Sequence, residues 1–450
     1  MTNPSYAAAR CAGRSIRSGA LLLALTSVLG ACNSLFEVEN PNQLKEADLA
    51  NASAAAAIAN GALATVANGF SASLLPQTAI SDELKWVGSY DSGRELMFGG
   101  ATNGRNEFMM GGYPTMAQGR WMADEAIARL EAFDKAGQLA NRDDLARSYV
   151  YAAIAYTSIA DMWEDFTLSD RRTAAPALGS AGMVKMYDTA IGYLDNAITI
   201  ARARKSTSIE AAAMALRARA RHGKAVRSLL APRKTPTNGL VNDAAAVADA
   251  RQFFALNPEP DYKYRFKFSA TTVTSTLGAW VNERREFRIG DAYVIPDATD
   301  KQVASVRLVD PITGQVDPAI SGIINEFKVS RQYGPLTVVS ARELHLIIAE
   351  AALAGGDVAT AASEMNAVRA LDNLPAYNPA VHTTVTPRDL LLHERRANLL
   401  LQGRRLLDMY RFGVASPQWQ SASDAVRTPG ILLPIADVER LSNCYLNGSC

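Results

Sequence analysis

Most of the chain shows the spacing of apolar positions that is typical of amphipathic helices. Residues 183–203 show it best, because apolar side chains recur there at intervals of three and four and so share one helix face. The side chains of that face are Tyr187, Ala190, Ile191, Leu194, Ala197, Ile198 and Ala201. The same periodicity predicts further helices over 47–68, 119–134, 143–164, 208–229, 341–354 and 358–371.

These helices fall into pairs, and the clearest pair is 341–354 with 358–371. Gly355 and Gly356 end its first helix, and Asp357 can cap the second. Repeated helical pairs with alanine at the contact positions are similar to tetratricopeptide units, although their spacing here is irregular. We therefore predict a mainly α fold on a tetratricopeptide-like scaffold. A generic α-helical domain is the alternative.

Two regions interrupt the helical pattern. Residues 70–120 are rich in glycine, serine, asparagine and aromatic side chains, which predicts a long loop of the kind that often carries function. Residues 255–340 combine aromatic residues and valines with turn residues, which predicts short strands and loops inserted into the helical scaffold. The chain then divides into an N-terminal helical region, 47–240, and a C-terminal region, 241–450.

The first residues resemble a bacterial lipoprotein signal. Positive charge comes from Arg10, Arg14 and Arg17. An apolar run over 20–29 follows, shorter than the about 20 residues that a stable membrane-spanning helix needs. It ends in Leu29, Gly30, Ala31 and Cys32, which is similar to the lipobox. We expect cleavage of residues 1–31, lipidation of Cys32 and a polar tether over 32–46. An ordinary signal peptide with a chance cysteine is the alternative.

Charge and hydropathy limit the possible partners. The 450 residues carry 46 basic and 45 acidic side chains, so the chain lacks the basic excess that nucleic-acid binding requires. We expect that no second apolar stretch is long enough to span a membrane, which leaves lipid as the expected membrane anchor. We therefore expect no nucleic-acid partner.

The four cysteines are assigned by position. Cys11 would leave with the signal peptide, and Cys32 would carry lipid. Cys444 and Cys450 remain at the C-terminus, with the turn-forming pair Asn447-Gly448 between them. Because an exported compartment permits disulfides, we predict a Cys444–Cys450 bridge. Two free thiols on a frayed end are the alternative.

The sequence contains no strong catalytic or metal-binding motif. The four histidines, His222, His345, His382 and His393, stand outside any zinc-binding pattern, so we expect no metal and no cofactor. Serine-hydrolase, phosphate-binding and dinucleotide-binding motifs are also missing from the sequence. Asp161, Glu164 and Asp165 could pair as glycosidase carboxylates, but most chains of this length offer such acids.

The most distinctive segment is 384–413. Thr386 can cap a helix that starts at Pro387, and a helix over 387–412 would carry a polar stripe beside a leucine-rich face. The stripe consists of Glu394, Asn398, Gln402, Arg405 and Asp408. Gly403 in mid-helix costs about 1 kcal/mol relative to alanine, which indicates that another backbone packs closely there.

This segment resembles the C-terminal signature of the SusD/RagB family of nutrient-uptake lipoproteins. The matching residues are Glu394, Arg395, Leu399, Gly403, Arg405, Asp408 and Arg411. Asn398 and Gln402 stand where the signature has glutamates, and Phe412 where it has tryptophan. Segment 342–369 and the stretch Leu433-Pro434-Ile435 resemble flanking parts of the family, and the lipobox fits its start.

The resemblance implies a function. Members of this family are surface-exposed outer-membrane lipoproteins that bind nutrients, mostly glycans and sometimes peptides, and deliver them to a TonB-dependent, SusC-like barrel. The resemblance also implies a helical scaffold with a variable, loop-rich face. We expect the signature helix itself to be structural, with its polar stripe forming ion pairs and caps inside the protein.

Candidate ligand-binding residues come from the two aromatic regions. Sugar binding needs flat aromatic faces and polar groups for hydroxyls. The aromatic candidates are Trp86, Tyr90, Trp280 and Tyr293, and their polar neighbours are Asp82, Asn103, Asn282 and Asp291. Ordinary packing is the alternative for each of them. The rival functions are a helical lipoprotein that binds only proteins and a lipid-anchored α-helical hydrolase, whereas we predict a non-enzymatic binding protein.

Overall fold

The computed structural model describes residues 48–170, 172–231, 233–257, 259–299 and 304–450. The chain divides into two units, Met1–Asn51 and Ala52–Cys450. The predicted signal peptide, Cys32 and the tether over 32–46 lie outside the described residues. The boundary predicted near residue 240 falls inside the second unit, and this unit contains every element discussed below.

The second unit is mainly α, as predicted. Its longer helices, in chain order, are α1 (Ala55–Ile80), α2 (Asp91–Met97), α3 (Glu107–Lys135), α4 (Arg142–Met162), α5 (Gly179–Arg204), α6 (Thr207–Leu229), α7 (Ala244–Leu256), α8 (Pro318–Val329), α9 (Ala341–Ala354), α10 (Val358–Ala370), α11 (Pro387–Asn398) and α12 (Arg405–Phe412). Short helices at Asp424–Arg427, Asp437–Ser442 and Cys444–Asn447 follow. Helices α2, α7 and α8 were not predicted from the sequence.

The predicted helical pairs are present. Helix α4 packs against α5, α5 against α6, and α6 against α7, while α9 packs against α10. The turn between α9 and α10 follows the predicted chemistry, because the Asp357 carboxylate accepts a hydrogen bond from the Thr360 N–H at 3.0 Å. Alanines fill the contacts, and most of the alanines in α4 and α6 are buried.

The long loop predicted over 70–120 is wrong at both ends. Helix α1 continues to Ile80 and α3 begins at Glu107, so the loop-rich part is confined to about 81–106 and includes α2. The glycines that suggested a loop permit these two helices to touch. A Cβ on Gly69 would lie 2.9 Å from Met116 Cα, and one on Gly119 would lie 2.9 Å from the Thr65 carbonyl oxygen. Only glycine allows so close an approach.

Region 255–340 contains the predicted short strands. These are β2 (Lys263–Phe266), β3 (Phe287–Ile289), β4 (Val294–Pro296), β5 (Ala304–Val306) and β6 (Leu336–Ser340). Strand β1 (Leu84–Trp86) precedes the region. They form three antiparallel two-stranded sheets, β1–β3, β2–β6 and β4–β5. The β1–β3 sheet joins the two aromatic regions, since Trp86 lies opposite Phe287.

The predicted single helix over 387–412 is two helices. Thr386 and Pro387 start α11 as expected, and the Thr386 hydroxyl accepts a hydrogen bond from the Asp389 N–H at 3.1 Å. The chain then leaves the helix after Asn398, because Leu401 has φ +58° and Gly403 has φ +76°. Gly403 therefore permits a left-handed turn between α11 and α12, and it is not a mid-helix residue.

Helix α1 is apolar along much of its length. Together with the turn Ala52–Ala54 it is long and apolar enough to cross a membrane by length and composition, so the expectation that no second stretch is long enough is wrong. However, 67% of its most apolar window is buried inside the fold. It packs against α3 and α4, as a core helix does.

The C-terminal cysteines are joined. Cys444 and Cys450 form a disulfide with their Cα atoms 4.8 Å apart, as the sequence suggested. The Asn447-Gly448 turn is also present, with Gly448 at φ +77°.

Candidate functional site

Three of the four predicted aromatic residues meet in one cluster. The rings of Tyr90 and Trp280 are perpendicular, with their centroids 5.0 Å apart. Phe108 lies 4.9 Å from Trp280 and 5.3 Å from Phe287, again edge to face. Phe287 pairs with Trp86 across the β1–β3 sheet. We call the residues Trp86, Tyr90, Phe108, Trp280 and Phe287 the aromatic cluster.

The cluster has a buried base and an accessible edge. Phe108 and Phe287 are buried, whereas Trp86 and Trp280 are half-buried and Tyr90 is 37% exposed. Edge-to-face contacts of this kind add stability beyond the area that they bury. The base can therefore hold the accessible rings in fixed positions, which reduces the entropy lost when a ligand stacks on them.

Glu286 positions the loop that carries Tyr90. Its carboxylate accepts hydrogen bonds from the Ser89 N–H at 2.6 Å, the Tyr90 N–H at 3.1 Å and the Ser89 hydroxyl at 3.0 Å. Its carbonyl oxygen also accepts from the N–H groups of Val87 and Gly88. Glu286 directly precedes strand β3, so one short segment fixes both the loop and the base of the cluster.

Two arginines bring positive charge to the cluster. The Arg284 guanidinium lies over the Trp280 ring, 4.4 Å from its centroid, and the Arg94 guanidinium lies 6.0 Å from the Trp86 centroid. Arg284 is exposed and Arg94 is half exposed, so both can also donate hydrogen bonds to a ligand. The Trp86 indole N–H has no hydrogen-bond partner among the described residues.

A groove lies beside the cluster. It is open, has a volume of about 610 Å³ and runs between α2 and the segment 420–424. Arg94 lines this groove and also faces Trp86, so the groove and the cluster adjoin. Polar side chains dominate its walls, including Ser92, Glu95 and Asp424. An elongated polar ligand could extend from the rings into the groove.

Tyr293 is separate from the cluster. Its side chain is fully buried, and the Arg396 guanidinium lies 5.0 Å from its ring centroid. Burial raises the pKa of its hydroxyl well above the ordinary value. A ring that water cannot reach does not offer a stacking face, so the predicted ligand contact of Tyr293 does not suit this structure.

The predicted polar neighbours are already engaged in internal contacts. Asp82 forms a two-pronged ion pair with Arg405, with distances of 2.7 and 2.6 Å. Asn103 donates to the Glu95 carboxylate. The Asn282 amide donates to the carbonyl oxygens of Phe327 and Arg331, and Asp291 pairs with Lys85 and Arg288. These groups shape the site, and each of them already has an internal partner.

The polar stripe of the signature segment is largely buried and forms internal pairs, as expected of a structural element. Arg395 binds the Asp408 carboxylate at 2.8 and 3.1 Å. Burial alone would raise the pKa of Glu350, but Arg411, His222 and Arg395 together lower it well below its usual range. Asn398, which stands where the signature has glutamate, accepts from Arg342 at 2.7 Å and donates to Glu394.

The acids that a hydrolase could use are also engaged. Asp161 is buried, pairs with Arg219 and accepts from the Tyr187 hydroxyl at 2.6 Å. Glu164 pairs with Arg233, while Asp165 accepts from two backbone N–H groups. Among the described residues, no group of three or more histidines, cysteines or acids could hold a metal ion.

The fold has many solved counterparts. A SusD superfamily protein from Bacteroides thetaiotaomicron has a TM-score of 0.59 at 13% identity, covering 88% of this chain and 98% of its own. A SusD-like carbohydrate binding protein from Bacteroides vulgatus has a TM-score of 0.56 at 12% identity, covering 89% and 98%. Surface glycan-binding protein A from Bacteroides uniformis has a TM-score of 0.50 at 15% identity, covering 86% and 99%. At these identities the similarity shows the fold alone.

One part of the sequence is similar to a known family. Residues 342–428, which run from the start of α9 through the signature segment, match the SusD family. The protein has a SusD-like fold. No curated protein matches the chain.

Five residues at the aromatic cluster were not predicted as site residues from the sequence. They are Arg94, Phe108, Arg284, Glu286 and Phe287. Phe108 is the second residue of α3, whereas the sequence predicts a loop at this position. Glu286 follows two arginines, and such a run of charged residues predicts side chains that are exposed to solvent. Only the fold brings its carboxylate to the Ser89 and Tyr90 amides.

Proposed function

We propose that this SusD-like protein binds glycans with the aromatic cluster and the adjoining groove. The observation that carries the proposal is the perpendicular pair Tyr90 and Trp280, held on a buried aromatic base and accessible at one edge. Sugar rings pack their C–H faces on such aromatic surfaces, and their hydroxyls need nearby donors and acceptors. Arg94 and Arg284 supply donors at the cluster.

The similarity to named glycan-binding proteins supports the ligand class. Two solved structures of the same fold are named for carbohydrate or glycan binding. The loop-rich segment 81–106 and the insertion after residue 255 supply four of the five cluster residues, and α3 supplies Phe108. The helical pairs form the scaffold. Ligand choice can then vary with the loops while the scaffold stays constant.

The cellular setting is part of the proposal. We infer that Cys32 carries lipid, that the protein is held at the outer membrane facing the exterior, and that it passes ligand to a TonB-dependent, SusC-like transporter. The lipobox-like residues 29–32 and the family resemblance support this inference. One acyl chain binds a membrane only marginally, and a lipoprotein cysteine carries several.

A glycan array tests the ligand class. Wild-type protein should bind at least one neutral oligosaccharide, and Trp86→Ala and Trp280→Ala should each weaken that binding by about tenfold or more. Circular dichroism of each variant checks that the helical scaffold is intact. Equal binding by wild type and both variants would remove the aromatic cluster as the site.

Co-purification tests the partner. A tagged chain that keeps Cys32 should bring down a large outer-membrane barrel from detergent-solubilised membranes, and Cys32→Ser should leave the protein unanchored. A barrel partner without any glycan binding would favour the rival function of a protein-binding scaffold. Recovery of the lipidated protein alone would contradict delivery to a transporter.

A further inference from the structure

A second cavity lies on a different part of the molecule. It has a volume of about 460 Å³ and lies between helix α8, the β2–β6 sheet and the turn that joins α11 to α12. This volume falls within the range of about 300–1,000 Å³ that is typical of small-molecule sites. Its lining includes no residue of the aromatic cluster.

The charged side chains around this cavity are balanced and paired. Lys263 pairs with Asp261 at 2.8 Å, and Arg265 pairs with Glu326 at 2.7 Å. The third cation, Arg342, binds both Asp261 and Asp372 and also donates to Asn398. A charged ligand would have to break one of these pairs. A neutral ligand can add hydrogen bonds to the remaining lone pairs and N–H groups without breaking any.

The same cavity combines an apolar floor with free polar atoms. Leu336, Leu400 and Phe327 are buried along it and offer surface to C–H groups. Two of the lining side chains each have one buried polar atom that lacks a hydrogen-bond partner in the described part of the chain, namely Arg265 Nε, a donor, and Gln402 Oε1, an acceptor. Buried polar atoms usually have a hydrogen-bond partner in a native protein. A ligand hydroxyl group can be the partner of either atom, because it both donates and accepts hydrogen bonds.

We propose that this cavity is a second binding site, which takes a neutral polyhydroxylated molecule of mono- or disaccharide size. The paired charges exclude an ionic ligand, the floor accepts the apolar side of a sugar ring, and the free donor and acceptor match its hydroxyls. This site does not depend on the aromatic cluster.

The chain offers a matched pair of variants to block the cavity. Gly322 lies on α8 and lines the cavity, and a Cβ built on it meets nothing within 4 Å. Gly192 lies on α5, is also exposed and has the same free space, but is not part of the lining. Gly322→Trp should therefore fill the cavity, while Gly192→Trp adds the same side chain elsewhere.

The experiment uses the mature protein and saturation-transfer NMR followed by calorimetry. The neutral probes are glucose, galactose, mannose, xylose, maltose and lactose, and the charged probe is glucuronate. At least one neutral probe should bind wild type and Gly192→Trp alike, and Gly322→Trp should weaken it by tenfold or more. Binding of none of the neutral probes, or stronger binding of glucuronate than of all of them, would overturn the proposal.

Two further variants keep the test decisive. If Gly322→Trp fails to fold, Arg265→Met tests the second site instead. This variant removes the free donor, Arg265 Nε. It also leaves Glu326 without its partner, but the Glu326 side chain is 45% exposed and so remains solvated. Binding of the neutral probe by Arg265→Met should fall several-fold, and unchanged binding would overturn the proposal. Tyr90→Ala should leave this binding unchanged. A loss in that variant would place the sugar at the aromatic cluster and so overturn the second site while supporting the first.

Discussion

The Glu286 carboxylate accepts a hydrogen bond from the Tyr90 N–H at 3.1 Å, across a separation of 196 residues along the chain. The same carboxylate oxygen accepts from the Ser89 N–H at 2.6 Å. Through these contacts a residue of the insertion region fixes the conformation of the loop from the N-terminal region. The exposed ring of Tyr90 and the half-buried ring of Trp280 are thereby held at a fixed angle.

Replacement of Glu286 should therefore affect ligand binding through Tyr90. Glu286→Ala leaves two backbone N–H groups without their acceptor, and it should lower the free energy of unfolding by about 1–3 kcal/mol. It should also weaken glycan binding about as much as Tyr90→Ala does. Glu286→Gln keeps one acceptor oxygen and should retain most of both properties. Calorimetric binding and chemical denaturation measure the two effects, and wild-type affinity in Glu286→Ala would contradict this role.

Replacement by alanine should cost more stability at Gly403 than at Gly413, a glycine with a similar backbone conformation. Gly403 and Gly413 both have positive φ, so alanine at either position costs about 1–2 kcal/mol in strain. A Cβ on Gly403 would also lie 2.9 Å from Gln77 Oε1 and 3.0 Å from Met162 Cε, whereas on Gly413 its nearest neighbour is 3.5 Å away. Denaturation should show Gly403→Ala as the less stable variant by about 1 kcal/mol or more. Equal losses of stability in the two variants would mean that the side chains around Gly403 can move to accommodate a Cβ at no cost.

Glu83 should make the protein less stable as pH rises. Burial raises the pKa of its carboxyl to about 8, despite a hydrogen bond from the Leu401 N–H at 2.8 Å. Between pH 4.5 and 8 the unfolded chain therefore loses this proton and the folded protein keeps it, so the contribution of Glu83 to stability falls over that interval.

The matching experiment compares Glu83→Gln with wild type. The amide can still accept from Leu401, but it does not ionise, so the variant should gain stability relative to wild type between pH 5 and pH 9. The gain is on the order of a few kcal/mol at most. Glu107→Gln, at an exposed position, is the control and should change little. A Glu83→Gln variant that loses stability at high pH would contradict the assignment.

The C-terminal disulfide predicts a thiol count. A soluble version that begins after Cys32 contains only Cys444 and Cys450, so under denaturing, non-reducing conditions it should have no free thiol. Because the closed loop is short and terminal, the paired Cys444→Ser, Cys450→Ser variant should melt close to wild type. Two reactive thiols in the oxidised protein would show that the bridge does not form.

Local sequence chemistry predicted much of the scaffold. The Asp357 cap, the Thr386 cap and the helical pairs depend on residues within a few positions of each other, and the structure contains them all. The Gly-rich stretch misled the prediction, because Gly69 and Gly119 serve contacts between two helices. A glycine-rich composition is compatible with a loop and also with two helices that cross closely. The two cases can be told apart only when the position of the partner helix is known.

The site was harder to predict, since its geometry depends on contacts between distant segments. Trp86, Tyr90 and Trp280 could be proposed because exposed aromatic residues in loop regions often bind ligands. The residues next to Tyr293 in the sequence do not indicate that its ring is buried beneath Arg396. The break after Asn398 is also long-range, because the Leu401 N–H in that turn binds the Glu83 carboxylate.

The central claim, that the aromatic cluster binds glycan, is tested most directly by calorimetric titration of the best array ligand. Tyr90→Ala is compared with Tyr445→Ala, which removes a 55% exposed tyrosine from the C-terminal tail. Tyr90→Ala should weaken binding by about tenfold or more, and Tyr445→Ala should bind as wild type does. Equal affinities in all three proteins would contradict the claim.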